Sequence, residues 1–273
     1  MSNYTSNDII NAIAAAAKAL EARKDEINRL NVFPVPDGDT GTNMSLTLAM
    51  VVDNLAKLPI GASSEDRRRA ITTGALMGAR GNSGVITSQI MRGLCEGIAD
   101  HEEFDIVAVD DAFSRAVEVA FNAVRKPVEG TILTVLRDTA TAAHKARKKK
   151  MELDEGLQFI VGESYASVQR TPELLPVLKE NGVVDAGGFG IALFFDSFVA
   201  SLTGRAEAMV DELAFARTAA PKVEIEQIND WEGSKYKYCN EFLVNSETLD
   251  PEEALDFLQT MGDCELCVGS TPK

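Results

Sequence analysis

Apolar residues recur at helical spacing through the first 205 residues, and almost no strand-like alternation occurs before residue 220. In the first helix, the apolar positions from Ile9 to Leu20 share one face, and Ser6-Asn7-Asp8 provides capping residues. Ser63 with Asp66 forms a second start signal, a capping box. The pattern predicts long helices at about 6–20, 42–55, 63–78, 83–99, 109–126, 131–149, 154–170 and 186–202, with a short one after Thr171-Pro172 to Glu180.

The end of the chain has a different pattern. Strand-type alternation is found at about 236–244 and 264–268, and Asp250-Pro251 opens a helix between them that runs to about Met261. A strand–helix–strand unit of this length cannot close a core alone. The sequence therefore predicts an all-α domain at 1–205, a connecting arm at 206–235 and the truncated beginning of a smaller α/β domain at 236–273. We expect the chain to be a piece of a longer protein.

Four polar, glycine-rich segments each stand directly before a predicted helix. A helix N-terminus presents free N–H groups and partial positive charge, both of which favour phosphate. These segments, called the polar loops below, are residues 36–43 (PDGDTGTN), 78–84 (GARGNSG), 129–131 (EGT) and 185–188 (DAGG).

The polar loops precede the second, fourth, sixth and eighth long helices. Short connections favour antiparallel neighbours, so every even-numbered helix would start at the same end of the domain. The order of the loops therefore predicts that they converge on one rim.

Asp37-Gly38-Asp39 is the sharpest local feature. Two carboxylates flanking a glycine suit Mg²⁺, which neutralises charge on phosphate oxygens during phosphoryl transfer. The same residues suit an Asx-rich turn that caps the next helix. Three further phosphate-friendly loops at the same end favour the metal hypothesis.

The other polar loops leave alternatives open. Gly78-x-x-Gly81-x-x-Gly84 lacks the lysine of a Walker A loop and the preceding strand of a dinucleotide fingerprint. Arg80 fits either a phosphate contact or, more often at such positions, a solvated helix cap. Asp185 fits a ligand or an N-cap, and spacing alone does not decide between them.

Charge and composition exclude several classes. The net charge is −15, which argues against a nucleic-acid partner, and the basic run 145–150 closes a predicted helix, where cations complement the dipole. No run of about 18 apolar residues predicts a membrane span, and the N-terminus lacks signal-peptide features, so we expect a cytoplasmic protein.

Histidines and cysteines do not suggest catalysis. His101 and His144 lie outside the polar loops, so neither is expected to be a catalytic base. The four cysteines are too few for a disulfide framework at this length. Cys264-x-x-Cys267 is half of a zinc pattern and, without a second pair, predicts ordinary strand packing.

The motifs, taken together, resemble the ATP-binding subunit of bacterial fatty acid kinases, which is similar to the nucleotide-binding subunit of dihydroxyacetone kinases. The resemblance covers about residues 7–203. Its motifs are residues 31–44 (NVFPVPDGDTGTNM), 77–86 (MGARGNSGVI), 126–134 (KPVEGTILT) and 182–188 (GVVDAGG).

The resemblance implies a barrel of about eight antiparallel helices with Mg-ATP at one rim. It implies that Asp37 and Asp39 are the catalytic residues and hold two Mg²⁺ ions, with Asn31 as a further metal-ligand candidate where the dihydroxyacetone kinase branch has a third aspartate. The nucleotide-binding residues it implies are Thr40, Thr42, Asn43, Gly81, Asn82, Ser83, Gly84, Thr131, Asp185 and Gly187.

The resemblance also implies an activity, which is transfer of the γ-phosphate of ATP to a fatty acid carboxylate presented by a separate acyl-binding protein. The acyl phosphate product feeds phospholipid synthesis. The alternatives are a dihydroxyacetone (glycerone) kinase subunit and a non-catalytic nucleotide-binding module. In the family, a cysteine matching Cys239 joins later histidines in a metal site, so a complete middle domain implies Zn²⁺. A homodimer is left open.

Overall fold

The computed structural model describes residues 4–205, 244, 246 and 248–262. Within these residues all regular structure is helical, which confirms the all-α class. The predicted strands, with Cys239, Cys264 and Cys267, lie almost entirely outside the described residues, so the domain boundaries and the zinc site stay predictions.

The helices are α1 (Ser6–Ala22), α2 (Lys24–Arg29), α3 (Thr40–Ala56), α4 (Ser64–Gly78), α5 (Gly81–Gly97), α6 (Ile106–Ala123), α7 (Ile132–Lys148), α8 (Leu153–Leu174), α9 (Pro176–Asn181), α10 (Ala186–Thr203) and α11 (Pro251–Gln259).

All eight predicted long helices are present, with ends that differ from the expectation by a few residues. They are α1, α3, α4, α5, α6, α7, α8 and α10. The capping box at the start of α4 is formed, because the Ser63 hydroxyl accepts the Asp66 N–H and the Asp66 carboxylate accepts the Ser63 N–H. A second box, between Thr5 and Asp8, opens α1.

The prediction of a helix starting after Thr171-Pro172 is wrong. Pro172 lies inside α8, and the short helix α9 starts instead at Pro176. Proline has no N–H to donate to the carbonyl four residues earlier, which belongs to Val168. The Thr171 hydroxyl donates to that carbonyl at 2.7 Å, so α8 continues for another half turn without leaving the oxygen unpaired.

The short helix α2 was not predicted. At six residues it is too short to show periodicity, and Ile27 is its only buried residue. It lies between α1 and the first polar loop, where it contacts α3.

Consecutive long helices pack against one another, and α10 also packs against α1, α3 and α7. Fifteen residues of α10 are buried, as expected for a helix that is apolar on all sides. Contrary to the expectation from sequence, α10 is long and apolar enough for a membrane span, with mean hydropathy 1.4 over 18 residues. Since 83% of it is buried inside the domain, this is weak evidence for a span. The eight-helix barrel itself stays a prediction.

Replacing Ile191 by alanine tests the role of α10 as the core helix. Ile191 is 1% exposed, so Ile191→Ala should lower the free energy of unfolding by about 2–5 kcal/mol through lost burial and a cavity. Ile60 is fully exposed between α3 and α4, and Ile60→Ala is the matched control, with a change within about 0.5 kcal/mol. Urea unfolding measures both, and equal effects would contradict a core position for α10.

Candidate functional site

The loop between α2 and α3 carries the two aspartates predicted to bind metal. Gly38 between them has φ of +68°, a left-handed conformation that glycine adopts without steric cost. The turn places the side chains of Asp37 and Asp39 close enough for the charge of one to act on the other. Partial desolvation raises the pKa of Asp37 above its ordinary value, and the adjacent negative charge of Asp39 raises this pKa further. Two carboxylates held this close favour a cation.

Asn31 orients the first of these carboxylates. It is buried, and its side-chain amide donates to Asp37 Oδ1 at 2.7 Å, which opposes the rise in the pKa of Asp37. This contact is that of a hydrogen-bond donor, and direct binding of metal by Asn31 stays a prediction.

The carboxylate pair is a small site. Among the described residues no three His, Cys, Asp or Glu side chains are grouped to hold one metal ion. A cation bound by Asp37 and Asp39 would therefore take its remaining ligands from groups other than His, Cys, Asp and Glu side chains. Mg²⁺ fits that arrangement, because it commonly keeps several waters and binds through one or two carboxylates plus phosphate oxygens.

The first turns of α3 and α5 lie side by side. Ser83 Oγ is 3.5 Å from the carbonyl oxygen of Thr40. A methyl group at Gly81 would overlap the side-chain amide of Asn43, and one at Gly84 would lie 2.8 Å from Thr47 Oγ1. The structure therefore brings the first two polar loops together. The residues predicted from these loops lie in or directly before the first turns: Thr40, Thr42, Asn43, Gly81, Asn82, Ser83 and Gly84.

The first turns of α7 and α10 are joined by Asp185. Its carboxylate accepts the N–H of Gly188 at 2.6 Å, within α10, and the N–H of Ile132, at the start of α7. A methyl group at Gly187 would lie 3.2 Å from Ile132 Cβ. Of the two alternatives for Asp185, the geometry is that of an N-cap, here serving two helices. Thr131 precedes α7 and donates its hydroxyl to the Val128 carbonyl at 2.7 Å instead of capping.

The two pairs of helix starts are contiguous. A methyl group at Gly190, the fifth residue of α10, would lie 2.7 Å from the sulfur of Met44, the fifth residue of α3. The four helix starts therefore lie at one end of the domain, and their polar loops are together called the polar rim below. This is the convergence that the loop order predicted.

Other candidates from the sequence have structural roles. Arg80 donates to the carbonyl oxygens of Met77 and Ala79, so it caps the end of α4. At the opposite end of the domain, Arg147 from the basic run pairs with Asp110 and Asp111. The histidines pair with the same two aspartates, His144 with Asp110 and His101 with Asp111. Cys95 is buried, which raises the pKa of its thiol to about 12.

Sequence reasoning missed Asn28, which contacts the first turn of α3. Its side-chain oxygen accepts the N–H groups of Gly41 and Thr42 at 2.8 and 3.2 Å. No sequence signal marks a cap that comes from a different helix, and α2 itself was not predicted.

Asp185→Asn tests the buried cap through pH. Burial raises the pKa of Asp185 from 3.8 to about 7, so the folded protein holds this proton more tightly than the unfolded chain. The contribution of Asp185 to stability therefore falls as pH rises from about 4 to about 7. Asparagine keeps one acceptor oxygen for the Gly188 N–H and has no charge to desolvate. The free energy of unfolding of Asp185→Asn, measured in urea at about pH 5 and about pH 8, should fall less with pH than that of the wild type.

Asp53→Asn is the matched control for that measurement, since Asp53 is exposed on α3. It should retain the pH dependence of the wild type. If the free energy of unfolding of Asp185→Asn changed with pH as much as that of the wild type, Asp185 would titrate in the folded protein as in the unfolded chain.

A family model described as the DAK2 domain matches residues 34–200. The matched segment contains all four polar loops. Two curated relatives are uncharacterized proteins of Staphylococcus aureus, from strains bovine RF122 / ET3-1 and MRSA252. Each is 38% identical over 265 residues, covering 94% of this chain and 47% of the relative. The chain thus spans about half the length of the curated relatives it matches.

Two solved structures share the fold. One is the dihydroxyacetone kinase from C. freundii in complex with AMP-PNP and Mg²⁺, with TM-score 0.54 and 16% identity over 73% of this chain and 34% of that one. The other is the native form of the same enzyme, with TM-score 0.53 and 15% identity over 74% of this chain and 35% of that one. At this identity the likeness supports the helical fold alone.

Proposed function

The chain belongs to the DAK2 domain family, and from this premise we propose that it binds Mg-ATP at the polar rim and transfers the γ-phosphate to a fatty acid carboxylate. A separate acyl-binding protein would present that carboxylate, and the product would be an acyl phosphate for phospholipid synthesis. The observation that carries the proposal is the meeting of four helix N-termini beside the Asp37–Asp39 pair. Use of ATP agrees with the cytoplasmic location expected from the sequence.

Each group at the polar rim has a proposed role. The N–H groups at the starts of α3 and α5 bind phosphate oxygens, helped by the side chains of Asn43, Asn82 and Ser83. Thr40, Thr42, Gly81 and Gly84 complete this cradle, while Thr131 and Gly187 line the nucleotide from the other pair of loops. Asp37 and Asp39 hold Mg²⁺, which would number two ions by family resemblance. When bound, Mg²⁺ neutralises charge on the phosphate oxygens as it develops.

The reaction needs no covalent enzyme intermediate. A carboxylate oxygen of the acceptor attacks the γ-phosphorus while the bond from that phosphorus to the β–γ bridging oxygen breaks, so ADP leaves with the electron pair. The protein contributes position and electrostatic stabilisation. This agrees with the histidines of the chain, which are paired with aspartates at the opposite end of the domain.

Exposed apolar side chains support a partner at the polar rim. Among residues 4–205, Val35, Met77, Val128 and Leu174 are large, apolar and exposed, and each lies in or next to a loop or helix end at that rim. Leu46 is exposed further along α3, and Ile60 is exposed at the opposite end. An acceptor held by another protein must approach this rim, and apolar anchors there suit such a contact.

Two alternatives stay open to test. The fold likeness to a dihydroxyacetone kinase favours a subunit of that type, with a small sugar ketone as acceptor. The chain covers 47% of the length of its relatives. This favours a nucleotide-binding module that needs the rest of such a longer protein for activity. ATP consumption that depends on a fatty-acid-loaded acyl-binding protein would separate the fatty acid kinase from both alternatives.

Asp39→Asn tests the metal site directly. Loss of one carboxylate should abolish most Mg²⁺-dependent ATP binding, because the amide ligates Mg²⁺ far more weakly. Calorimetric titration of ATP with and without Mg²⁺ measures this, with Asp53→Asn as a control of the same chemistry on the exposed face of α3. Unchanged affinity in Asp39→Asn would refute the metal assignment.

Leu174→Glu tests the rim as the partner surface. A charge buried in an apolar contact should raise the partner concentration needed for half-maximal ATP consumption by about tenfold or more. ATP binding without the partner should not change, because Leu174 lies at the end of α8 and is exposed. Ile60→Glu, at the opposite end, is the control. Equal effects of the two substitutions would argue against docking at the polar rim.

A further inference from the structure

The carboxylate of Asp39 stands at the start of α3 but does not cap it. Asp39 is the N-cap residue, yet its side chain makes no cap hydrogen bond. Its backbone, at φ −116° and ψ −4°, is outside the extended region that N-cap residues usually adopt. An aspartate here would normally accept the N–H of the second or third helical residue.

Those two N–H groups are accepted instead by Asn28 on the neighbouring helix α2. Its Oδ1 accepts the Gly41 N–H at 2.8 Å and the Thr42 N–H at 3.2 Å. Its Nδ2 donates to Thr42 Oγ1 at 3.0 Å, which fixes the orientation of the amide. Asn28 therefore makes all the contacts of an N-cap side chain from outside the helix.

The packing of α2 against α3 makes this contact close. A methyl group at Gly41 would overlap the carbonyl oxygen of Lys24 and lie 3.0 Å from both Asn28 Oδ1 and Ile27 Cβ. Only glycine lets the first turn of α3 approach α2 so nearly. Ile27 is fully buried, so α2 is anchored to the core next to Asn28.

We propose that Asn28 is a positioning residue of the phosphoryl-transfer site, which caps α3 from α2 so that the carboxylate of Asp39 is left for the cation. This inference rests on the proposed function. A carboxylate that accepted two N–H groups would be held in charge-assisted hydrogen bonds and would bind Mg²⁺ less well. A neutral amide cap also leaves the partial positive charge of the helix start available to phosphate.

The first test needs no metal and no nucleotide. If Asp39 takes over the cap when Asn28 is lost, Asn28→Ala should be tolerated in the wild type and harmful when Asp39 is also changed. We expect Asn28→Ala to raise the unfolding equilibrium constant by about fivefold more in an Asp39→Ala background than alone. Urea unfolding in EDTA of the two single variants and the double variant measures this coupling. Equal effects in both backgrounds would overturn the exchange of caps.

The second test follows Mg²⁺. In Asn28→Ala the Mg²⁺ concentration at the midpoint of ATP binding should rise by about tenfold, because Asp39 is engaged by α3. Asn28→Asp keeps an acceptor oxygen but adds a negative charge at the start of α3, so its midpoint should lie between those of Asn28→Ala and the wild type. Asn54→Ala, later in α3, is the control for loss of a side-chain amide and should leave the midpoint unchanged.

The outcomes separate this inference from the proposed function. Wild-type ATP binding that does not depend on Mg²⁺ would overturn the proposed function, and the metal-free unfolding experiment would still decide whether Asn28 is the cap. A Mg²⁺-dependent wild type with an unchanged midpoint in Asn28→Ala would overturn the positioning role alone. A midpoint as weak in Asn28→Asp as in Asn28→Ala would also overturn it, since the acceptor oxygen would then not be the cause.

Discussion

The starts of four helices converge at one end of the domain, and the rest of the site depends on how their partial positive charges are balanced. Each helix N-terminus carries roughly half a unit of positive charge, so bringing four together is unfavourable without nearby negative groups. The carboxylate of Asp185 binds the starts of α7 and α10, and α3 is capped by the neutral Asn28. Asp185 thus satisfies N–H groups at its two helix starts by hydrogen bonds, while the start of α3, with its neutral cap, keeps its affinity for an anion.

Close packing allows this convergence and limits what the rim can contain. Near its start α10 contacts α3 at Gly190 and Met44, and it contacts α7 at Gly188 and Val135. A side chain at Gly188 would overlap Val135, and one at Gly190 would displace the end of the Met44 side chain. The same contacts bury α10 almost completely, so the stability of the core and the geometry of the site share one helix. Substitutions in its first turn should therefore change both together.

The long helices and the convergence of the polar loops were predictable because both follow from regular patterns. Apolar periodicity marks long helices, and counting eight of them places alternate starts at one end. Contacts between helices follow no such pattern. Neither α2 nor the cap from Asn28 has a local signal, and the continuation of α8 through Pro172 depends on the hydroxyl of Thr171. The N-cap role of Asp185 was one of two alternatives from the sequence, and its second N–H partner, Ile132, is distant in sequence.

The two ends of the domain differ in how their charges are compensated. At the end opposite the polar rim, the aspartates at positions 110 and 111 face Arg147 and both histidines, so acidic and basic groups are matched within the protein. Within the described residues no lysine or arginine forms an ion pair with Asp37 or Asp39, although the charge of Asp39 helps to raise the pKa of Asp37. A fold optimised for stability alone would separate or pair these groups. Their position beside the start of α3 suits a ligand that carries both cation and anion, and the magnesium-bound nucleotide proposed above has that composition.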